Sequence, residues 1–451
     1  MKKTVIYIIL SGWMLAGCGT YSRYHRPDLS TENLYRDMPA DIDTMTIASL
    51  SWREMFTDPK LQSLIETGLE RNADLNVARL RVEAAEAVLM TARLSYLPSL
   101  GLTAEGNANK HDGATAKTYN VGASASWELD IFGKLTAAKR GAAALQGSRA
   151  YRQAVQTQLV ATIADSYYTL AMLDAQMTIS NRTLENWRTT VRTLEALKKV
   201  GKSNEAGVLQ AKANVMRLEA SLLSIRKSIS ETENALSAIL AMPSHSIGRS
   251  DLAEAAFPDT VSIGVPLQLL SNRPDVRQAE MELAQAFYAT NAARAAFYPN
   301  ITLSGILGWT NNGGGVIVNP GQWLLNAIGS LTQPLFNRGV NIANLKIAKS
   351  RQEEAKLLFR QSLLNAGKEV NDALTAWQTA KSQIEINARQ VETLCDAVRK
   401  TESLMRHSNT TYLEVLTAKQ SLLEAEVQQL QTRFERIQSI IKLYHALGGG
   451  M

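Results

Sequence analysis

Residues 118–134 read TYNVGASASWELDIFGK. Tyr119, Val121, Ala123, Ala125, Trp127, Leu129 and Ile131 alternate with Asn120, Gly122, Ser124, Ser126, Glu128 and Asp130. Successive strand side chains point to opposite faces, so the stretch predicts a strand over 118–131 with one apolar and one polar face. Three other stretches repeat the pattern less cleanly, at about 99–110, 300–310 and 322–335. Tilted strands of about 9–11 residues cross the hydrocarbon layer of a membrane. Trp127, Trp309 and Trp323 fall near strand ends, where an aromatic girdle sits. Four strands cannot close a barrel, and an open edge is not tolerated in lipid. Membrane strands here therefore require several chains in one barrel. Two chains give eight strands with a filled interior, and three give twelve with room for water. A water-filled duct favours three.

The rest of the chain is helical and duplicated. Residues 92–98, ARLSYLP, return as 293–299, ARAAFYP. Residues 130–134, DIFGK, have a counterpart in 334–338, PLFNR. Val208-Leu209-Gln210-Ala211-Lys212 returns as Val415-Leu416-Thr417-Ala418-Lys419. The chain divides into a first repeat, 57–243, an inter-repeat linker, 244–267, and a second repeat, 268–449. Each repeat reads helix, strand, strand, long helix, tip, helix. The first-copy helices are expected at about 60–95, 135–200 and 205–241, the second-copy ones at about 272–296, 339–406 and 411–446. A 66-residue helix is about 100 Å long, too long for one globular core. Val208, Ala211, Val215, Leu218, Leu222, Ile225 and Ile229 keep alternating three- and four-residue spacing. That sustained period predicts helices wrapped in a supercoil. The tips, about 200–205 and 406–411, carry Gly201, Ser203 and Asn204 in one copy and Ser408 and Asn409 in the other, residues suited to tight turns. Read alone, they are helix hairpins.

The chain has 451 residues, 20% of them charged and 45% hydrophobic, with a formal net charge of +6. Acids and bases are interleaved, which argues against a nucleic-acid surface. The start, MKKTVIYIILSGWMLAGCGT, has a basic tip and a short apolar run. It reads as a signal peptide over 1–17, removed on export. Leu15-Ala16-Gly17-Cys18 resembles a bacterial lipobox, making Cys18 the lipidated N-terminus of an 18–56 segment; the alternative is an ordinary core cysteine. Gly19 follows Cys18, which by resemblance to enterobacterial sorting rules points to the outer membrane. Cys395 then has no intrachain partner and reads as a small packed residue.

Taken together, these motifs resemble bacterial outer membrane efflux proteins of the TolC type, closest to the lipidated, OprM- or CusC-like branch. Besides the repeats, the residues that carry the resemblance are Arg26-Pro27, Trp52-Arg53, Asp74-Leu75, the run NRPDVRQAE over 272–280, and TYLEVL over 411–416. The resemblance implies a mainly helical fold with membrane strands. It implies a homotrimer with a twelve-stranded outer-membrane barrel and a coiled-coil tunnel of long helices in the periplasm. An equatorial belt is implied at about 31–56 and 243–271. The tips would meet a periplasmic adaptor protein serving an inner-membrane pump of the resistance-nodulation-division class. Family constriction acids fall on Glu414 and on Thr417, so the second acid is missing and Glu414 alone supplies a ring. A solvated surface acid is the plain reading of Glu414.

No catalytic constellation is found, and neither a cofactor nor a metal site is expected. His25, His111, His245, His407 and His445 are scattered, and Gly313-Gly314-Gly315 is not followed by a phosphate-loop lysine. Thirteen methionines could suggest soft metal ions, but Met172, Met177, Met216 and Met405 sit in helical patterns, where packing is the simpler role. The expected function is the exit duct of a tripartite efflux system. The outlet of a type I protein secretion system is the alternative. A stand-alone porin needs no long periplasmic helices.

Overall fold

The computed structural model describes residues 22–28, 34, 47–129, 133–201, 203–255, 257, 272–310, 322–406 and 412–450. The elements run α1 (Trp52–Met55), α2 (Pro59–Arg71), α3 (Ala73–Leu94), β1 (Ser99–His111), β2 (Ala114–Leu129), α4 (Gly133–Lys199) and α5 (Glu205–Ile239). Then come α6 (Pro274–Ala295), β3 (Asn300–Thr310), β4 (Gln322–Thr332), α7 (Val340–Arg406) and α8 (Tyr412–Ala446). Lengths match in pairs: 22 residues in α3 and α6, 67 in α4 and α7, 35 in α5 and α8. No helix among the described residues is long and apolar enough to cross a membrane.

Local chemistry sets the boundaries, and in three places it departs from the sequence pattern. The helix expected over 60–95 is broken at Asn72. Its backbone N–H closes α2 on the Gly68 carbonyl, its carboxamide oxygen accepts from Leu75 N, and its Nδ2 donates to the Ile239 carbonyl. One side chain thus ends α2, starts α3 and fastens both to the end of α5. The turn expected over 111–117 shrinks to Asp112 and Gly113, with φ of 45° and 79°. Asp-Gly favours a two-residue hairpin of this kind, so pairing extends to His111↔Ala114 and β2 begins at Ala114. β4 stops at Thr332, just before Pro334, which has no N–H for a ladder.

The described residues fall into two compact units. The first draws on 1–29, 80–150 and 277–361. It holds a four-stranded antiparallel sheet of order β1-β2-β3-β4 and the adjoining parts of four helices. The helices line up in the same order. Gly141 of α4 lies against Leu89 and Ala92 of α3, and Gly147 against Met281 of α6. Thr290 of α6 donates to the Ala348 carbonyl of α7 at 3.2 Å. The strap 22–28 is fixed to α6 by a bidentate Arg26–Glu280 pair (2.7 and 2.5 Å) and by edge-to-face contact of Tyr24 with Phe287.

The second unit draws on 30–79, 151–276 and 362–451. Its core packs Phe56 edge-on against Tyr444 and Phe257, with Tyr168 on the far side of Phe257. Burying side chains of this kind contributes about 1.5–3 kcal/mol each. The stretch after α5 is clamped by Arg249, which pairs with Asp174 of α4 and Glu233 of α5, each at 2.5 Å. Arg273, only 4% exposed, binds Asp275, Glu369 and the Ala446 carbonyl, joining the start of α6 to α7 and to the end of α8. The chain's glycine tail fits closely here: a Cβ on Gly448 would sit 2.6 Å from the Asn272 carbonyl oxygen. The apolar stripe of α5 is buried at Val208, Ala211, Leu218, Leu222, Ile225 and Ile229, as its spacing predicts, with Asn214 joining it. α8 is buried on more than one face towards its end, including Thr432, Ser439 and Ile440.

Candidate channel: a two-faced sheet and a cross-tied helix end

The sheet register puts the apolar positions on one face. Leu102 lies opposite Ala123, Ala123 opposite Leu307, and Leu307 opposite Leu325. Leu102 is 91% exposed, Leu307 52% and Leu325 79%, so this oily face has no cover among the described residues. The reverse face carries Thr103, Glu105 and Asn107 on β1, Asn120, Ser124 and Ser126 on β2, and Ser304 and Asn326 beyond. Leu324, Ile306 and Ile328 interrupt it. A large exposed apolar face marks an interaction surface, and on a strand sheet backed by polar residues the matching environment is lipid. Aromatic rings stand towards both ends. Trp309 and Trp323 pair across β3 and β4 with ring centroids 5.1 Å apart. At the other end Trp127 donates from Nε1 to the Tyr96 carbonyl at 3.0 Å. Gly122 and Gly308 face each other on the polar side, where a Cβ on Gly122 would lie 2.6 Å from the Leu307 carbonyl oxygen. Among the described residues, β1 and β4 each leave one edge without a partner strand.

At the far end of α4 and α5, the predicted tip residues form a short connection. Gly201 is exposed with φ of 75°, the conformation that favours glycine. Asn204 caps α5 by accepting from Gly207 N at 2.9 Å, and Ser203 is half-buried beside it. Lys198 in the last turn of α4 pairs with Glu205 in the first turn of α5, each complementing its helix dipole. Glu195–Lys212 (2.7 Å) and Arg188–Glu219 (2.9 Å) continue the zip. The Lys212 ammonium holds the Glu195 carboxyl below its ordinary value.

In the second helix pair, Ser408 and Asn409 lie outside the described residues, as does Cys18. Glu414 is exposed in the first turn of α8 and forms no hydrogen bond or ion pair among the described residues. Thr417 is exposed one turn on, and its hydroxyl donates back to the Leu413 carbonyl at 3.0 Å. The structure therefore places Glu414 and Thr417 on adjacent turns, with Thr417 bonded only to its own helix and Glu414 without a partner among the described residues. Of the methionines assigned to packing, Met177 lies against the apolar cluster, whereas Met216 is 65% exposed.

Sequence reasoning missed a cluster centred on Thr190 of α4, which is 3% exposed. Lys419 of α8 donates to its hydroxyl at 3.1 Å and pairs with Glu402 of α7 at 2.8 Å. The hydroxyl of half-buried Tyr412 also bonds Thr190, and the partial burial raises its pKa. Arg182–Glu426 (2.7 Å) adds a second tie between α4 and α8. These groups line a cleft of about 480 Å³ between α4, α7 and α8. A signal for part of the cluster was present. Lys419 and Lys212 are the equivalent lysines of the repeated Val-Leu-x-Ala-Lys motif, and each pairs with a glutamate 17 residues upstream.

Comparison with known proteins gives this architecture its family. The chain is 30% identical over 450 residues to the cation efflux system protein CusC of Escherichia coli O6:H1, covering 97% of this chain and 96% of that one. It is 30% identical to the probable outer membrane lipoprotein SilC of Salmonella typhimurium, covering all of this chain and 99% of that one. The open-state MtrE outer membrane channel of Neisseria gonorrhoeae superposes with a TM-score of 0.84 at 29% identity, covering 95% and 98% of the two chains. The model of the outer membrane efflux protein family matches residues 64–242 and 265–449. With a lipid-suited sheet continued by long paired helices, and that match over most of its length, the chain belongs to the outer membrane efflux protein family and is an outer membrane efflux channel.

Proposed function

We propose that three copies of this chain assemble into one conduit, each contributing four strands to a twelve-stranded barrel and four long helices to a periplasmic tunnel. The carrying observation is the four-stranded sheet whose apolar face is bare and whose two edges are unpaired among the described residues. Such a sheet meets the demand for full backbone pairing in lipid only when other copies close it. The paired helix lengths support two structural repeats, 57–243 and 268–449, joined by a linker at 244–267. The packing of Phe56 and of the Arg249 stretch on the second unit supports a belt built from 31–56 and 243–271. The signal peptide is 1–17, and Cys18 carries the lipid that anchors the 18–56 segment to the outer membrane; the lipoprotein name of SilC agrees with this.

The mechanism is conduction. An inner-membrane pump of the resistance-nodulation-division class supplies free energy, a periplasmic adaptor docks at the tips (Gly201, Ser203, Asn204, Ser408 and Asn409), and this chain supplies the water-filled path outward. Three Glu414 carboxylates around the threefold axis form a cation-attracting ring, with Thr417 one turn behind. Opening is a two-state repacking in which α7 and α8 move off α4, breaking the ties at Thr190. Cargo is small: drugs, other organic molecules or metal ions, the last in keeping with the cation efflux name of CusC.

A photo-crosslinker at Ser203 in living cells tests this. Capture of an adaptor of the resistance-nodulation-division type is the expected result. Capture of a secretion-transporter adaptor moves the cargo to polypeptides, and trimers that capture no adaptor overturn tip docking.

A further inference from the structure

We infer the residue-level seam at which one copy meets the next: β4 pairs antiparallel with β1 of the neighbour so that Ile328 lies level with Glu105 of the next copy. This rests on the three-copy barrel proposed above. Within the chain, Ser99 of β1 is level with Ser126, Ser126 with Ser304, and Ser304 with Ile328. The duplicated sequence supplies a scale for the stagger. Ser99 and Asn300 both follow the proline that closes the repeated motif, so they are equivalent; the level line reaches β3 four positions beyond Asn300. By the pairing of DIFGK with PLFNR, Ser126 is equivalent to Ser330; the line reaches β4 two positions beyond it, at Ile328. Steps of four and two average three per repeat, or six per chain. The line therefore enters the next β1 six positions past Ser99, at Glu105.

Two constraints bound that value. The offset must be even, or the oily face of one copy would continue into the wet face of the next. With strands about 4.8 Å apart and about 3.3 Å per residue, an offset of six tilts twelve strands by about 46°. An offset of eight gives about 54°, outside the usual range of about 35–45°. An offset of four gives about 35° and is the rival to be tested. At six, Leu331 faces Leu102 of the next copy, Gly329 faces Ala104 and Leu325 faces Ala108. Trp323 then faces Lys110 at the outer margin, where an indole and an ammonium on an apolar stem both suit the water boundary.

The helices point independently to the same seam. α4 and α6, which continue the inner strands, expose no large apolar side chain at 136–150 or 274–295. α3 and α7, which continue the edge strands, do: Leu80, Val88 and Met90 on α3 are 58–61% exposed, and Ile342, Leu357 and Leu358 on α7 are 56–67% exposed. The bare apolar rows thus run on from the bare edges, as a copy-to-copy interface continuous from barrel to helices requires.

The test is disulfide trapping in outer membranes, in a Cys395→Ser background that keeps Cys18. Within one chain Leu102 is level with Leu325, so Leu331 lies three strands across and six residues along from it, about 25 Å away, and a disulfide between Leu331→Cys and Leu102→Cys joins two copies. The expected result is covalent trimers from L331C/L102C at least about tenfold more abundant than from L331C/L100C. Dominance of L331C/L100C overturns the register. Equal or absent trapping in both, with native trimers intact, overturns the seam. Covalent dimers alone, with no trimer in the C395S parent, refute the three-copy reading beneath it. If the double variant does not assemble, co-expressing L331C and L102C on separate chains gives the same readout as covalent dimers.

Discussion

Replacing Thr190 with valine should bias the channel towards opening. Valine keeps the shape of threonine and removes the hydroxyl that Lys419 and Tyr412 both engage. The site is buried, with Thr190 3% exposed, so the Tyr412 hydroxyl is left without that partner at a cost of about 1 kcal/mol. Lys419 keeps its Glu402 pair, and its side chain is 19% exposed to water, so its lost bond costs at most about 1 kcal/mol more. The ties are already broken in the proposed open arrangement, so the loss falls on the closed one. That is about 1–2 kcal/mol per chain. If three ends move together, it becomes about 3–6 kcal/mol per trimer, a shift of roughly 10²- to 10⁴-fold in the open-to-closed ratio. Single-trimer conductance in planar bilayers reads this directly. T190V should show a large rise in open probability, and T190S, which retains the hydroxyl, should behave as wild type. Intact T190V trimers with wild-type conductance would refute the assignment of these ties to the closed state.

Gly122→Val should abolish stable trimers in the outer membrane, because its Cβ meets backbone atoms of β3, at 2.6 Å from the Leu307 carbonyl oxygen and 2.8 Å from Gly308 Cα, and backbone cannot swing aside; heat-resistant trimers on gels give the measure. The pH dependence of stability should show His445. Burial and the Arg273 guanidinium hold its pKa below 6.5, against opposing contributions from Glu369 and Asp275. The unfolded chain therefore takes up the proton first, so stability is full above about pH 6.5 and falls as pH drops towards the lower folded value. Thermal unfolding of His445→Gln trimers between pH 7.5 and 5 should lose that component of the slope.

Much of the fold was legible because periodicity survives in single sequences. The alternation over 118–131 marks a two-faced strand, and the three-and-four spacing of α5 marks the buried stripe that Val208, Leu218 and Ile225 form. Proline marks the end of the helix before Pro98, whereas the strand expected to 335 ran past Pro334 and in the structure stops at Thr332. What escaped was decided by single polar side chains with distant partners. Asn72 sits in an uninterrupted helical pattern, and its break is fixed by the Ile239 carbonyl, 167 residues away. Strand order and register were also invisible, since they depend on which strands meet.

The helix-end cluster shows where sequence repetition stops informing. Glu195–Lys212 and Glu402–Lys419 occupy equivalent positions and form at 2.7 and 2.8 Å. Their surroundings differ. The first pair has side chains 46% and 42% exposed, so solvent screens it and it has little to contribute. The second is 19% exposed at Lys419, because α4 lays Thr190 over it. A duplicated motif has thus become a plain surface pair in one copy and a three-helix junction in the other. A gate needs that asymmetry. In the gate proposed above, hairpins tied alike would loosen together; the Thr190 tie between α4 and α8, with no counterpart at the Glu195–Lys212 pair among the described residues, would let the second hairpin move while the first stays as the wall.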